Sequence, residues 1–283
     1  MATFENYATL TYTGGTTNSN TVTGELTENL AATKTAIGGT YTPGGRISYV
    51  LTLVNRGAAA LTGLTVTDDL GGYLLETETV YPLRYLPGTL RYYVNGVLQT
   101  APTVNPGPPM TVTGITVPAG GNVVLAYETQ VTGFAPLDRE TTVTNTATVT
   151  GRGLYTPVRA SATVGPESQT ILRIHKSLCP AVVAENGRVT YTFLIENTGN
   201  TPAAAGADVT ITDTFRPILT GLTVTYNGTP WVAGTDYTYS ETTGVFATVP
   251  GRITVPAATY SRNAAGEWIT TPGAATVTVT GTI

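Results

Sequence analysis

The sequence is poor in cysteine, histidine, lysine and charged residues in general, and each shortage narrows the class of protein. One cysteine, Cys179, among 283 residues leaves no disulfide framework within the chain. The net charge is −4 and no basic cluster is present, so nucleic acid is not expected as a partner. No apolar run approaches the roughly 20 residues that a membrane span requires. The chain is therefore expected to be neither disulfide-rich, nucleic-acid-binding nor membrane-spanning.

The features of a turnover enzyme are also missing. The single histidine, His175, has no matching set of serine and aspartate, and no phosphate-binding loop is present. Asp68 and Asp69 lack the ligand spacing of a calcium loop. We therefore expect no cofactor, no metal site and no conventional enzyme activity. The first residues lack a charged region followed by an apolar stretch, so we expect a removed secretory signal or another route of export.

The chain is rich in threonine, glycine, valine and tyrosine, a mixture that favours strands and tight turns. Short segments alternate between apolar and polar residues, and no convincing amphipathic helix is found. Asn-Gly pairs at 95–96 and 227–228 are typical of two-residue hairpin turns. The pattern predicts an all-β chain of two tandem Ig-like antiparallel β-sandwich domains, the second of them incomplete. Predicted strand segments include residues 47–55, 64–68, 90–99, 123–131 and 142–150.

An internal repeat divides the chain into two long units. The first is expected over residues 30–164 and the second over residues 171–283, with linkers at 25–29 and 165–170. The matched positions are Leu30 and Leu172, Lys34 and Lys176, Gly45 and Gly187, Tyr49 and Tyr191, Asn55 and Asn197, Asp68 and Asp213, and the Val-Thr-Gly tripeptides 131–133 and 279–281.

Residues 1–24 resemble the end of the first unit, residues 141–163, and align with it without a gap. The second unit reaches its own Val-Thr-Gly without such a segment, so we expect it to lack its final strands. The connector from Glu25 to Ala31 spans at most about 25 Å, which makes a neighbour's second unit easier to reach than the chain's own. We therefore predict head-to-tail strand donation, with a disordered leader of chance similarity as the alternative. The identical positions are Thr3 and Thr142, Asn6 and Asn145, Ala8 and Ala147, Thr9 and Thr148, Thr11 and Thr150, Gly14 and Gly153, and Thr17 and Thr156.

The two lysines of the chain occupy the same position in the two units. Strand parity places each of them on an otherwise apolar face, and it does the same for one aspartate and one asparagine per site. Buried isolated charges cost several kcal/mol unless they pair or neutralise, so these groups are expected to meet. The predicted trios are Lys34, Asp68 and Asn145 in the first unit, and Lys176, Asp213 and Asn6 of another molecule in the second.

Such a trio can form a Lys–Asn isopeptide bond in a single autocatalytic turnover. Burial favours the neutral amine of lysine and the protonated form of aspartate. The amine attacks the asparagine carbonyl, the acid polarises that carbonyl and moves protons, and ammonia leaves. Asp68 and Asp213 are the predicted acids, with Glu128 as the alternative in the first unit. The other interpretation is a buried salt bridge or hydrogen-bond network without a covalent bond.

The motifs TVTNTATVTG, GRVTYTFLIENTGNTPA and VTITDTF resemble the Thr-rich conserved repeat of Gram-positive surface proteins, catalogued as domain of unknown function 11. The order of lysine, acid and asparagine is similar to that of isopeptide-forming pilin and adhesin domains. The resemblance implies a surface-exposed sandwich with the lysine on an early strand and the asparagine on the last. Two departures count against an ordinary anchored surface protein: no C-terminal sortase signal is found, and LPGT (86–89) is internal and lacks the sortase pattern LPxTG. The repeat is also permuted at the termini, as expected of a fibre subunit.

The predicted function is a self-assembling structural subunit of an extracellular bacterial fibre or pilus. Phe4, Ala8 and Leu10 would fill a groove in the neighbouring molecule, so the partner is another copy of the same chain at the cell surface. The alternative function is a surface adhesin or cell-wall module that binds carbohydrate or a host protein. The aromatic residues considered for such a binding face are Tyr92, Tyr93, Trp231, Tyr237 and Tyr239.

Overall fold

The structure is a computed structural model that describes residues 2–283, with the side chains of all of these except Ala2 and Leu26. The described chain is almost entirely β-structure, with a single short 3-10 turn at Ala205–Ala207. It divides into two compact units: the residues up to Ala135 with Thr142–Gly165, and Pro136–Thr141 with Pro166–Ile283. In residues 2–283, no helix has the length and hydrophobicity needed to cross a lipid bilayer.

The strands of residues 2–283 are numbered in chain order. Those up to the boundary between the units are β1 (Ala2–Asn6), β2 (Thr9–Tyr12), β3 (Gly15–Asn18), β4 (Val22–Leu26), β5 (Leu30–Ile37), β6 (Thr40–Tyr41), β7 (Arg46–Asn55), β8 (Leu61–Asp68), β9 (Tyr73–Leu75), β10 (Glu78–Val80), β11 (Leu83–Tyr85), β12 (Arg91–Val94), β13 (Val97–Gln99), β14 (Thr103–Asn105), β15 (Met110–Val117), β16 (Asn122–Val131), β17 (Val143–Thr150) and β18 (Val158–Pro166). Those of the second unit are β19 (Leu172–Cys179), β20 (Arg188–Asn197), β21 (Thr212–Thr214), β22 (Thr220–Tyr226), β23 (Thr229–Pro230), β24 (Tyr237–Tyr239), β25 (Val245–Thr248), β26 (Thr259–Arg262), β27 (Trp268–Thr271) and β28 (Gly273–Thr282).

The first unit is a sandwich of two six-stranded sheets. One sheet has the order β13-β12-β16-β7-β5 with β11 beside β16, and the other has the order β14-β15-β8-β17-β18-β6. Alternate residues of β7, among them Tyr49 and Leu51, are buried, as expected of a strand with one face on the core. They share one hydrophobic core with Leu64 and Val66 of the second sheet. The predicted fold class, an all-β chain of Ig-like antiparallel sandwiches, is confirmed.

The Asn-Gly pairs make the hairpin turns that their chemistry predicts. Asn95 and Gly96 join β12 to β13 with φ of 48° and 79°. Asn227 and Gly228 join β22 to β23 with φ of 48° and 81°. Both positions need positive φ, which asparagine and glycine tolerate better than other residues.

The hairpin of β17 and β18 forms part of the core of the first unit. Strand β17 pairs with β8, with Ala147 opposite Asp68. Val143, Ala147 and Val149 are buried on one face of the strand. Ala162 on the return strand is also buried and lies in the same core. Without this hairpin, the apolar side chains of the facing sheet and one edge of β8 would be uncovered.

The second unit has no such hairpin among its described residues. Its larger sheet has the order β19-β20-β28-β22-β23, and a three-stranded sheet has the order β21-β25-β24. The two share a core in which the rings of Phe193 and Phe246 stack at 6.5 Å. Strand β21 carries Asp213, the match of Asp68, but it lies at the edge of its sheet. In residues 166–283 no strand pairs with that free edge.

Strand pairing corrects one match of the internal repeat. Tyr127 of β16 lies opposite Tyr49 of β7, and Val279 of β28 lies opposite Tyr191 of β20. Because Tyr49 matches Tyr191, the counterpart of Tyr127 is Val279, and the match predicted for residues 131–133 is wrong. Val-Thr recurs throughout this threonine-rich chain, so a tripeptide identity does not determine register, whereas neighbouring strands do.

Residues 2–26 form a hairpin of their own, in which β1 pairs with β4 and β2 pairs with β3. Between the two ladders, the amide of Ser19 donates to the carbonyl of Ala8, and the amide of Ala8 donates to the hydroxyl of Ser19. The side chains that the structure describes here lie outside both cores: Phe4 is 50% exposed and Leu10 is 63% exposed. The segment is therefore already paired as a hairpin, and its apolar side chains are unburied.

Candidate functional site

Lys34 spans the core of the first unit and meets an acid of the opposite sheet. It lies on β5, and Asp68 ends β8. The distance between Lys34 Nζ and Asp68 Oδ2 is 2.7 Å, and both side chains are fully shielded from solvent. The pair lies among apolar residues because both strands turn these positions inward, as strand parity requires.

The carboxylate of Asp68 has hydrogen bonds on both oxygens. The hydroxyl of Tyr127 donates to Oδ2, which also accepts from Lys34. The backbone amide of Leu70 donates to Oδ1 at 3.1 Å. A buried ion pair is tolerated only when further hydrogen bonds satisfy its remaining donors and acceptors, and Asp68 meets that condition.

Asn145 is the unsatisfied member of the group. It lies on β17 two residues before Ala147, which pairs with Asp68, so Asn145 and Asp68 are diagonal neighbours on the core-facing side. Its side chain is completely buried, and in the described chain neither Nδ2 nor Oδ1 has a hydrogen-bond partner. Leaving a buried polar group unpaired costs about 1–3 kcal/mol. Such an amide needs an explanation, and chemistry on its carbonyl is one.

The environment of the cluster favours neutral groups. Burial lowers the pKa of Lys34, and the pull of Asp68 in the other direction only partly offsets this. Burial, reinforced by the nearby Asp68, raises the pKa of Tyr127 well above its usual range. A lysine in this setting reaches the uncharged, nucleophilic form more easily than a surface lysine does.

Glu128, the alternative acid, lies on the other face of β16. Its neighbour Tyr127 points into the core, so alternation points Glu128 outward. There it forms an ion pair of 3.3 Å with Arg46, and both side chains are partly exposed. Glu128 is therefore not part of the cluster around Lys34.

The equivalent site of the second unit holds a lysine and an acid and is open to solvent. Lys176 is hydrogen-bonded to Asp213, and the two side chains are 41% and 18% exposed. The ammonium lies over three rings, at 4.6 Å from the centre of Tyr191, 5.4 Å from Phe193 and 5.5 Å from Phe215. Within the second unit, Lys176 is thus hydrogen-bonded to Asp213. No described strand of this unit takes the place of β17, which carries Asn145 in the first unit.

The apolar residues beside Lys176 are uncovered in the same way. Ile174 and Leu178 share a face of β19 with Lys176 and are 53% and 42% exposed. Their counterparts in the first unit, Ala32 and Ala36, pack against the core. This face of β19, together with the free edge of β21, is called the open groove below.

The predicted donor residues lie on the N-terminal hairpin. Asn6 pairs opposite Val22 and is exposed, and so are Phe4, Ala8 and Leu10. Strand alternation would set the four on one face of an extended strand. They are available for burial elsewhere because they are not buried in the hairpin.

Most of the aromatic residues considered for sugar binding are buried or held by contacts within their own unit. Tyr92 and Tyr237 are core residues, at 8% and 5% exposure. Trp231 stacks on Tyr226 at 5.2 Å, and the hydroxyl of Tyr239 donates to the backbone of the same unit. These side chains serve packing within the sandwiches.

Tyr49 and Tyr127 belong to the lysine cluster but were not predicted as site residues. Tyr49 is fully buried, and the ammonium of Lys34 lies 4.9 Å from the centre of its ring. A signal was present for Tyr49, because Tyr191 repeats it in the second unit. No such signal existed for Tyr127, whose counterpart is Val279.

No family model and no curated protein sequence matches this chain. Among solved structures, the pilus backbone RrgB from Streptococcus pneumoniae is 14% identical with a TM-score of 0.35, over 87% of this chain and 55% of that one. The 35 kDa C-terminal fragment of the major pilin GBS80 of Streptococcus agalactiae is 11% identical with a TM-score of 0.36, over 87% and 91%. The RrgA Jo.In complex is 11% identical with a TM-score of 0.34, over 48% and 78%. These similarities are too low to assign a family or function, and membership of the Thr-rich repeat family stays a prediction.

Proposed function

We propose that this chain is a structural subunit of an extracellular bacterial fibre, joined head to tail by its N-terminal hairpin. The observation that carries the proposal is the open groove of the second unit, at the position that β17 and β18 occupy in the first. A second copy of the chain holds the matching piece, because residues 1–24 resemble β17 in sequence and the described residues 2–26 already form a hairpin. The extracellular location rests on the resemblance of the Thr-rich motifs to surface repeats.

The first unit is the template for the docked hairpin. There, Ala147 lies opposite Asp68. The same register sets Ala8 of one molecule opposite Asp213 of the next, and Leu10 opposite Ile211, just before β21. Burying a phenylalanine or leucine side chain contributes roughly 1.5–3 kcal/mol, and the edge gains backbone hydrogen bonds. Because donor and acceptor are different surfaces, each added molecule offers a new groove and the chain of contacts continues.

A covalent bond then secures each trio. In the first unit, Nζ of Lys34 bonds to Cγ of Asn145, and the side-chain nitrogen of Asn145 leaves as ammonia. In the second unit, Lys176 reacts in the same way with Asn6 of the incoming molecule, beside Asp213. Docking would bury a lysine that is now half exposed, and burial favours the neutral amine that the reaction needs.

The intermolecular bond predicts a ladder of covalent multimers when purified protein is boiled in detergent and run on a denaturing gel. Asn6→Ala and Lys176→Ala should each reduce the ladder to the monomer band, since each removes one reacting group. Asn20→Ala, an exposed asparagine on the same hairpin, is the matched control and should keep the ladder. A ladder that persists in both Asn6→Ala and Lys176→Ala would rule out this bond.

The docked register is tested independently by a cross-link. Thr148 lies opposite Thr67 in the first unit, so Thr9 of one molecule is expected opposite Thr212 of the next. In a Cys179→Ser background, the double variant Thr9→Cys and Thr212→Cys should form disulfide-linked multimers on mild oxidation. Thr17→Cys with Thr212→Cys, on the return strand of the hairpin, is the control. Equal cross-linking of the two pairs would refute the register.

A further inference from the structure

The hydroxyl of Tyr49 is a buried hydrogen-bond donor in the lysine cluster, and it has no acceptor among the described residues. It lies on β7 with an exposure of 0%, and its ring stacks on that of Tyr127 at 5.8 Å. Its hydroxyl has no hydrogen-bond partner in the described chain. Tyr127 differs, because its hydroxyl donates to Asp68. The two stacked tyrosines are therefore in different states, one satisfied and one free to donate.

Asn145 is the natural recipient of this donor. Its amide is also fully buried and unpartnered, so a donor and an acceptor lie unused in one cluster. Both side chains lie beside the ion pair, since the ring centre of Tyr49 is 4.9 Å from Nζ of Lys34 and Asn145 is the diagonal neighbour of Asp68. Burial raises the pKa of Tyr49, and the amide of Asn145 offsets part of that rise, although no hydrogen bond of ordinary geometry joins the two side chains. The raised pKa keeps the hydroxyl of Tyr49 protonated, as a donor must be.

We propose that the hydroxyl of Tyr49 donates to Oδ1 of Asn145 as Lys34 attacks, and so stabilises the negative charge that develops on that oxygen. This inference rests on the proposed Lys34–Asn145 bond. Nζ of Lys34 first gives one proton to Asp68 and becomes a neutral amine. The Nζ–Cγ bond then forms, the Cγ–Nδ2 bond breaks, and a second proton passes from Nζ to Nδ2 by way of Asp68. Ammonia leaves, and Tyr49 ends with the proton that it started with. A donor aimed at developing charge in a site without water is among the strongest single contributions to such reactions.

The second unit has an equivalent of Tyr49 but no equivalent of Tyr127. Tyr191 matches Tyr49, and the ammonium of Lys176 lies 4.6 Å from its ring, compared with 4.9 Å for Lys34 and Tyr49. Val279 stands where Tyr127 would be. The tyrosine beside the lysine is thus shared by both trios, whereas the tyrosine on the aspartate is found in one. We assign the same donor role to Tyr191, toward Asn6 of the incoming hairpin.

The test is the rate of bond formation in full-length Tyr49→Phe, which keeps the ring and removes the hydroxyl. The chain is made by cell-free synthesis, quenched in acid at intervals, and the peptide linking Lys34 to Asn145 is quantified by mass spectrometry. Wild type should lose the mass of one ammonia at this site. Tyr49→Phe should form the link more slowly, by on the order of 100-fold, the usual effect of deleting one such donor.

A stability measurement separates this role from packing. In an Asn145→Ala background no link can form, and Tyr49→Phe should not lower the unfolding midpoint, because the lost hydroxyl makes no hydrogen bond. A linking rate equal to that of wild type would overturn the role of Tyr49 alone. A slower rate with a matching loss of stability in the Asn145→Ala background would do the same. If wild type itself forms no link, the proposed bond fails, and the role of Tyr49 fails with it.

Discussion

Deleting residues 2–24, with Met1 retained, is expected to convert assembled protein into monomers. The deletion removes Phe4 and Leu10, which are exposed in the free hairpin and would be buried in the groove. Each contributes roughly 1.5–3 kcal/mol on burial, and the backbone pairing with β21 is lost as well. The sandwiches should remain folded, because none of the described side chains of the hairpin belongs to either core. Electron microscopy and light scattering after gel filtration would measure the change.

A complementary variant makes the deletion more informative. Ile174→Asp places a charge in the open groove at a position that is 53% exposed, so the free subunit should tolerate it. This variant keeps the hairpin and loses the acceptor, whereas the deletion keeps the acceptor and loses the hairpin. Each should be monomeric alone, and an equimolar mixture should give dimers and nothing longer. Filaments from the deletion variant alone would contradict strand donation.

Local pattern made the strands and turns of this chain predictable. Strand β7 was expected over residues 47–55 and covers Arg46–Asn55, because its alternation is uninterrupted. Both Asn-Gly turns were expected, because few residues accept positive φ. Short strands such as β26 and β27 were not, since pairing of four residues depends on which neighbours the fold brings close. The register of β28 failed for the same reason, as it is determined by β20 and not by its own residues.

The trio of the first unit was predictable in part. The equivalent lysines and strand parity indicated Lys34 and Asp68, and the structure brings the two to 2.7 Å. The state of Asn145 was not predictable, because an unpaired amide is evident only when every nearby donor and acceptor is known. The tyrosines were missed because a core-facing tyrosine in a sequence is indistinguishable from packing. The group that its hydroxyl reaches depends on the facing sheet.

Replacing Asn145 by alanine is expected to raise or to lower the stability of the first unit, depending on whether the covalent bond forms. An amide that makes no hydrogen bond gives nothing to a non-covalent core, so its removal would be close to neutral or stabilising. A link from Lys34 to Asn145 closes a loop on the order of 100 residues, which stabilises by about 4.7 kcal/mol in the chain-entropy treatment. We therefore expect Asn145→Ala to lower the unfolding midpoint of the first unit by roughly 10–20 °C, measured by calorimetry.

Two further variants separate the causes of this loss of stability. Asn145→Leu fills the space that alanine leaves empty, so a midpoint lowered in both variants cannot be assigned to a cavity. Lys34→Met also prevents the bond, but it leaves Asp68 buried without a cation, whereas Asn145→Leu keeps the ion pair of Lys34 and Asp68, a difference of about 3–5 kcal/mol. The excess loss in Lys34→Met over Asn145→Leu therefore measures the ion pair, and the loss in Asn145→Leu measures the link relative to the ion pair that replaces it. A higher midpoint in Asn145→Leu, with no ammonia missing from the wild-type mass, would show that the trio is an ion pair beside an unsatisfied amide.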